Sequence, residues 1–570
     1  MSDYWQRFAD RRLSRRSVLR AAGIGAAAAA AIPLGGCSGG STTTTGAGVT
    51  PATTPSPNGP DLLNTGGTPR RGGRFLTSEA ADFGTFDPHL GIALASAYFP
   101  RLYNVLVNQC ATKAEFMYFD LASALETPDP LTFIFKIRPG VRVAPNDLGV
   151  PERDLDPEDV RVSLERIRTT KAANNYAFAH QYIASITTTA DTVTVKTTTP
   201  YAWFLNRIGL FVNTIPPREL LSGDLKRLEQ HAAGAGPYRL TSLHEGQGAT
   251  FDRNPNYYRK DDRTGQQLPY VDGIDLKLLF DRTAARTAFL SHQLDRYVPA
   301  SASEAAGLQD RFTIERDPNF SFIAFAMNPQ QPPFQDPRVR RAISRAIDRQ
   351  AYIDIIYGGQ AKADGLVHWP VGAYALDDAA LKQTYQPFDL QEAKRLVSAV
   401  GGIKLKMMYP SGTLLEEHDK HLPIFIGQMN DAGISIDHDP QDLPTWIENF
   451  SKLNYHCSLS LNQIYETAEI PLGFHTTAGP LGDGTYVRGL GDPQIEAAVK
   501  KANETIDVNA RVTAVHDAQK IIYGKVPAYY PLVTPYMFQA YWPSVHNIPA
   551  GVGTTQFLLN MFWLDSPAKA

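Results

Sequence analysis

The sequence predicts an α/β protein of two or three domains, on three observations. Its 570 residues exceed what one hydrophobic core usually organises. β-rich runs and amphipathic helical segments mix from Gly73 onward. Helix starts of one form recur along the chain: Asp156-Pro157, Asp336-Pro337 and Asp492-Pro493 each place an N-cap before a proline suited to the first helical turn.

The first residues stand apart from that body. Ser14-Arg15-Arg16-Ser17-Val18-Leu19-Arg20 sets paired arginines before an apolar run, the twin-arginine form of an export signal. The run Ala21 to Leu34 is rich in Ala and Gly and is about 14 residues long, short of the roughly 20 a membrane span needs. It ends in Leu34-Gly35-Gly36-Cys37, which resembles a bacterial lipobox, where signal peptidase leaves the cysteine as an acylated first residue. Residues 1–36 therefore read as a twin-arginine lipoprotein signal peptide, and 37–72 as the acylated Cys37 followed by a tether. The Ser, Thr, Gly, Pro and Ala of that tether carry too little apolar surface to build a core and should be disordered. No later stretch reaches 18 consecutive apolar residues.

Composition narrows the function. The chain is 43% hydrophobic and 20% charged, ordinary for a globular protein. Residues 1–36 hold six Arg and two Asp, so the remainder has 49 basic and 56 acidic residues, a net charge of −7. A mildly acidic body argues against a nucleic-acid partner, which needs a basic face. The cysteines are Cys37, Cys110 and Cys457, with no zinc-type Cys/His spacing. Cys110 and Cys457 read as two buried thiols; a disulfide between them has no local support.

The elements of the body follow in order. Thr132-Phe133-Ile134-Phe135-Lys136-Ile137 is a strand closed by the turn Arg138-Pro139-Gly140. Thr192 to Lys196 alternates as a half-buried strand. After Asp336, Val339, Ala342, Ile343, Ala346 and Ile347 make one apolar helical face. After Asp492, Ile495, Ala498, Val499 and Ala502 do the same. Asp389 and Glu392 have capping-box spacing before Ala393, Leu396 and Val397. Gly489-Leu490-Gly491 reads as a turn into the helix that follows.

These segments also carry a resemblance. Leu131 through Val141, Asp156-Pro157-Glu158-Asp159-Val160 with Ser163-Leu164-Glu165-Arg166, Gly234-Ala235-Gly236-Pro237-Tyr238-Arg239-Leu240, Arg253-Asn254-Pro255-Asn256-Tyr257-Tyr258, and Pro332 through Ala342 with Ala346-Ile347-Asp348-Arg349 occur in that order. In wording and order they resemble the large solute-binding proteins of peptide and nickel ABC importers, the dipeptide/oligopeptide-binding family (family 5), over about residues 73–560. Each motif also has a structural reading: Asp336 caps a helix, Gly236-Pro237-Tyr238 turns into a strand, and Arg338, Arg340 and Arg341 are surface or ion-pair residues.

The resemblance implies a two-lobed fold of the periplasmic-binding-protein type, class II, with an extra inserted subdomain and a ligand enclosed between the lobes. The expected boundaries are 73–107, 215–315 and 530–565 for lobe one, 108–214 for the inserted subdomain and 316–529 for lobe two. It implies an extracytoplasmic monomer held at the membrane by its lipid alone, delivering a short or modified peptide, or another small organic ligand, to an ABC permease. No cofactor is implied. By position the cleft should be lined by Gly91, Ala93 and Ser96 after Phe86-Asp87-Pro88-His89, and by Asn462, Gln463, Tyr465 and Glu466 within Leu459 to Glu466. Trp369, Tyr486 and Arg488 join them as candidates; Trp369 and Tyr486 serve either the ligand or the packing of the lobe. Peptide binders of the family typically carry a Trp and an Asp in the second region, and the Asp pairs with the peptide's α-ammonium. That pattern is absent from Leu459-Ser460-Leu461-Asn462-Gln463-Ile464-Tyr465-Glu466, which leaves Glu466 to stand in for the acid.

The rival reading is an anchored extracytoplasmic hydrolase, and a binding or sensing lipoprotein without transport is a third. A hydrolase needs a nucleophile beside a base, or clustered carboxylates and a metal. The sequence has no G-x-S-x-G, H-E-x-x-H or P-loop motif, and its 13 His are scattered. Glu466 and Glu469 are spaced as surface acids commonly are. The sequence reads as a protein that is not an enzyme.

Overall fold

A computed structural model describes residues 67–80, 83–91, 95–110, 113–319, 321–411, 416–463, 467–480, 486, 489–548 and 561–565. The expected signal peptide, Cys37, Ala93, Tyr465, Glu466 and Arg488 lie outside the described residues, as does the tether up to residue 66. The end of that expected tether is fastened to the body. Arg70 donates to the Asp565 carbonyl at 2.7 Å, and the Gly72 N–H donates to the Tyr270 carbonyl at 3.0 Å.

One four-stranded sheet runs in the order Arg74–Glu79, Gly273–Leu278, Gly248–Arg253, Tyr238–His244. Its first pair is parallel and the other pairs are antiparallel. The helix Ala95–Leu102 packs on it, burying Tyr98, Phe99 and Leu102 with Phe75, Phe251 and Ile274. The Gly-Ala-Gly-Pro-Tyr motif has a packing cause here. A Cβ on Gly236 would stand 2.5 Å from the Leu102 carbonyl carbon, while its N–H donates to the Leu102 oxygen at 3.0 Å. Only glycine lets these two backbones approach so closely.

A second sheet is wholly antiparallel, in the order Ala122–Asp129, Thr132–Ile137, Thr192–Thr197, Ile183–Thr188. The expected strand at 132–137 and the half-buried strand at 192–197 are its two central members. Gly140 closes the turn between 137 and 141 with φ +79°. The helix Pro157–Thr169 covers this sheet with Val160, Leu164 and Ile167. Its start is a full capping box: Asp156 accepts from the Asp159 N–H and Asp159 accepts from the Asp156 N–H.

The largest sheet has eight strands, and Tyr529–Tyr541 is central to it. Along one edge it pairs antiparallel with Ser321–Met327 and then Thr313–Pro318. It also pairs with Ala361–Ala363 and Arg296–Tyr297. Beyond Ser321–Met327 come Cys457–Gln463, Ile403–Pro410 and Ile434–Gln441. Cys457 is buried with a free thiol, which burial pushes up.

The expected helices are present at Pro337–Ala346, Leu390–Ala399 and Pro493–Glu504. Asp336 and Asp492 cap the first and last through the N–H groups of Arg338 and Gln494. Val339, Ala342, Ile343, Ala346 and Ile347 are all buried. Asp389 caps its helix through the Glu392 N–H, but the capping box is not reciprocal. The Asp389 N–H is taken by the Arg345 carbonyl at 2.9 Å, and Glu392 turns to Arg395 instead.

One expectation is corrected. Arg338 pairs with Asp336 and Arg341 is exposed, as surface residues should be. Arg340 is neither a surface nor an ion-pair residue. It is buried and donates to four backbone carbonyls, those of Phe334, Gln335, Lys525 and Val526. A guanidinium has five N–H donors in a fixed fork, so it can serve several carbonyls that helix and turn geometry leave unpaired.

Candidate functional site

Beside the first four-stranded sheet, the described chain from Phe83 runs through Phe86-Asp87-Pro88-His89 to Gly91. Buried Asp87 accepts two hydrogen bonds from Arg166 of the helix Pro157–Thr169, at 2.9 and 2.7 Å. The same guanidinium meets His89 Nδ1 at 2.8 Å, and His89 Nε2 lies 3.1 Å from the Thr214 carbonyl. Arginine can only donate and a carbonyl can only accept, so His89 carries its proton on Nε2. Burial, with the Arg166 charge beside it, pushes the His89 ring down to about 4. Burial alone would raise Asp87, but the hydrogen bonds and charge of Arg166 hold it below its usual range. Asn174 then binds the Gly91 carbonyl at 2.6 Å. Gly91 itself is buried, and a Cβ there would meet the Phe99 ring at 2.6 Å. Its place in the structure is tight packing at the base of the loop. Ser96 lies in the helix Ala95–Leu102, with only its backbone described.

The remaining described candidates gather around the largest sheet. Buried Asp364 takes a hydrogen bond from Thr534 Oγ1 at 2.5 Å and one from His368 Nδ1 at 2.7 Å. Its other oxygen accepts from the Gly365 and Trp369 N–H groups at 3.2 and 3.1 Å. Four donors on one carboxylate fix the backbone that presents Trp369. The half-buried indole of Trp369 lies 5.2 Å from the Tyr536 ring, with Lys362 Nζ 4.7 Å from its centre. The His368 ring packs 4.0 Å from Phe322, and Phe322 pairs in register with Asn462, as Ser321 does with Gln463. Tyr486 is half-buried at φ +53° and packs 6.2 Å from Phe450, in the cluster that includes Phe322, Trp446 and Tyr529. Through Phe322 the structure thus brings Trp369, the Asn462-Gln463 backbone and Tyr486 to one region of the sheet.

Two groups escaped the sequence reading. The Asp364–His368 pair, four apart, is ordinary spacing until the turn between them closes. Glu469, expected at the surface, is buried at 6% exposure and contacts Tyr201 and Arg207. The run Tyr201-Ala202-Trp203-Phe204, three aromatics in four residues, was the available sign of a packing contact. Among the described residues no group of three or more His, Cys, Asp and Glu could hold a metal ion, and no helix is long and apolar enough to cross a membrane.

The fold is that of a two-lobed binding protein. A periplasmic binding protein of Helicobacter pylori, solved with the peptide STSA, superposes with a TM-score of 0.71 at 18% identity, over 87% of this chain and 99% of that one. The family model for the middle region of bacterial extracellular solute-binding proteins, family 5, matches residues 117–465, and the chain belongs to that family. A glutathione-binding protein of Salmonella paratyphi A is 25% identical over 362 residues, 60% of this chain and 64% of that protein. A probable di/tripeptide-binding protein of Pseudomonas aeruginosa is 27% identical over 316 residues, 50% of this chain and 56% of that protein. The match spans less than two thirds of either relative's length.

Proposed function

We propose that this protein captures a short or modified peptide between its lobes outside the cytoplasm and delivers it to an ABC permease, without chemical turnover. The observation that carries the reading is family membership, joined to relatives named for glutathione and for di- and tripeptides. Lobe one is assigned 73–107, 215–315 and 530–565, the inserted subdomain 108–214, and lobe two 316–529. The ligand is assigned to Gly91, Ala93, Ser96, Trp369, Asn462, Gln463, Tyr465, Glu466, Tyr486 and Arg488. Trp369 supplies broad apolar contact with few rotors, and the Asn462 and Gln463 amides offer donors and acceptors suited to peptide groups. Cys37, acylated after twin-arginine export, holds the monomer at the membrane.

A thermal-shift panel of glutathione, di- and tripeptides and neutral oligosaccharides tests the ligand class, because a compound that binds only the native state raises its melting temperature. Glutathione or a peptide should give the largest shift. A response confined to oligosaccharides overturns the peptide assignment, and steady release of amino acids from any peptide overturns the assignment as a binding protein. For the anchor, mass spectrometry of the exported protein should find a lipid on Cys37 and none in Cys37→Ala. Retention of residues 1–36 without lipid would sink that part.

A further inference from the structure

The segment Tyr201–Ile208 reaches residues far along the chain through several polar contacts. The Tyr201 hydroxyl donates to Glu469 Oε1, and Arg207 Nε lies 3.8 Å from Glu469 Oε2. Around this carboxylate stands an aromatic wall: Tyr182 stacks on Tyr201 at 4.0 Å, and the Arg207 guanidinium lies 5.4 Å from the Phe178 ring centre. Next to it, the Ala202 N–H donates to the Asn503 carbonyl at 2.8 Å, and Trp203 Nε1 donates to Asn503 Oδ1 at 3.0 Å. Arg511 donates to the Ala202 carbonyl at 3.1 Å and lies 4.7 Å from the Trp203 ring centre. Tyr201, Trp203, Glu469 and Arg511 are all buried.

We propose that Glu469, held by Tyr201 and Arg207, is the positioning residue of a latch between the lobes that sets the closed fraction independently of ligand. The proposal rests on the lobe boundaries given above, which put 201–208 in the inserted subdomain and 469, 503 and 511 in lobe two. On that assignment the contacts of Tyr201, Ala202, Trp203 and Arg207 with Glu469, Asn503 and Arg511 cross from the inserted subdomain to lobe two and break when they part, while Tyr182 and Phe178 back them from within the subdomain. None involves a residue assigned to the ligand. The latch adds the same free energy to the closed form whether or not ligand is present. It raises affinity in proportion to the closing equilibrium while the open form dominates the ligand-free protein, and slows ligand release to the same degree.

Burial pushes the Glu469 carboxyl up, against the pull of Arg207 and Tyr201. The other titrating groups facing this cluster are Tyr182 and, at the end of Pro493–Glu504, Glu504. In the open form the carboxyl returns to its ordinary value of 4.5. The closed form therefore binds a proton more readily, and acid favours closure.

The test uses spin labels on Glu126→Cys and Lys404→Cys, both exposed, one in the inserted subdomain and one in lobe two. Cys37 and Cys110 are replaced by Ser and buried Cys457 is kept. Pulsed dipolar distances are recorded without ligand. Glu469→Ala should lower the short-distance population relative to the long one by about tenfold or more, since it strips the buried Tyr201 hydroxyl of its acceptor and leaves a void beside Tyr201 and Arg207. Glu469→Gln keeps an acceptor for Tyr201, resembles the protonated carboxyl and at pH 7 should match or exceed the wild type. The wild-type short-distance fraction should grow between pH 7 and pH 5, and that of Glu469→Gln should not change. Circular dichroism confirms that each variant is folded. Two labelled distances that respond to pH but not to Glu469→Ala overturn the latch and leave the two lobes in place. A single distance, the same in every variant and at both pH values, overturns the latch and the lobe boundaries together.

Discussion

Arg166 and Asp87, 79 residues apart, form a two-pronged buried ion pair at 2.9 and 2.7 Å, and the same guanidinium reaches His89 at 2.8 Å. One side chain on the second sheet's helix thereby fixes the loop on the first sheet that leads to Gly91. Removing it strands a carboxylate away from water. Arg166→Ala should cost about 3–5 kcal/mol of unfolding free energy, read from urea titrations with the slope checked for constancy. Arg166→Lys should recover less than half, since a single ammonium cannot make the fork. A loss under about 1 kcal/mol in Arg166→Ala would show that the pair is a bystander.

The same cluster gives stability a pH dependence with a definite sign. His89 titrates at about 4 when folded and at 6.5 when unfolded. Below pH 6.5 the unfolded chain takes up a proton that the folded one refuses, so this contribution is complete above 6.5 and declines as pH falls towards 4. Its full size is up to about 3 kcal/mol at 1.36 kcal/mol per pH unit. Asp87, depressed by Arg166, acts in the same direction below its unfolded value of 3.8. Denaturant midpoints should hold from pH 7.5 to about 6.5 and fall from there to 4.5, and His89→Gln should flatten that fall while lowering the whole curve.

Arg340 makes a third case. Its four carbonyl partners lie before its own helix and after the helix Val508–Gly524. Arg340→Met keeps most of the volume and abandons those acceptors, which should cost about 2–4 kcal/mol. Hydrogen exchange should speed up around Lys525 and Val526 before it does so in the strand Ser321–Met327. Uniform acceleration across both would argue against a local role.

Trp369 separates ligand contact from packing. Its indole packs at a tilt against Tyr536 with Lys362 over its face, and the backbone beneath it is held by Asp364. Trp369→Ala should weaken the best ligand from the thermal-shift panel by about 10- to 100-fold in calorimetry, or about 1.4–2.8 kcal/mol. The ligand-free melting temperature should change little. Unchanged affinity with a large drop in melting temperature would assign the ring to the interior of the lobe.

What the sequence made legible is local. Asp156, Asp336 and Asp492 announce their helices because a cap and its N–H partners lie within three residues, and the strand at 132–137 carries its own turn. Arg340 reads as a surface or ion-pair residue and Glu469 as a surface acid because Val526 and Tyr201, partners that help bury them, lie 186 and 268 residues away, beyond any periodicity. The failed half of the Asp389 box has the same origin: Arg345 had already taken the N–H that Glu392 would have capped. The site suffers most, since Trp369 is brought towards Asn462 by its neighbour His368 packing on Phe322, a residue whose strand pattern signals nothing but burial.

The strand Tyr529–Tyr541 is central to the eight-stranded sheet, yet it follows every other strand of that sheet along the chain, so a ribosome makes it after all of them. Until it emerges, Ser321–Met327 and Thr313–Pro318 have no partner on one side, and Phe322, Ala324 and Phe325 stand along an uncovered edge. Open apolar edges invite pairing between chains. The growing polypeptide must therefore carry the other seven strands of this sheet before the central one is made. A chain stopped between residues 464 and 528 should then be a sticky product rather than a shorter binder, whatever ligand the finished protein carries.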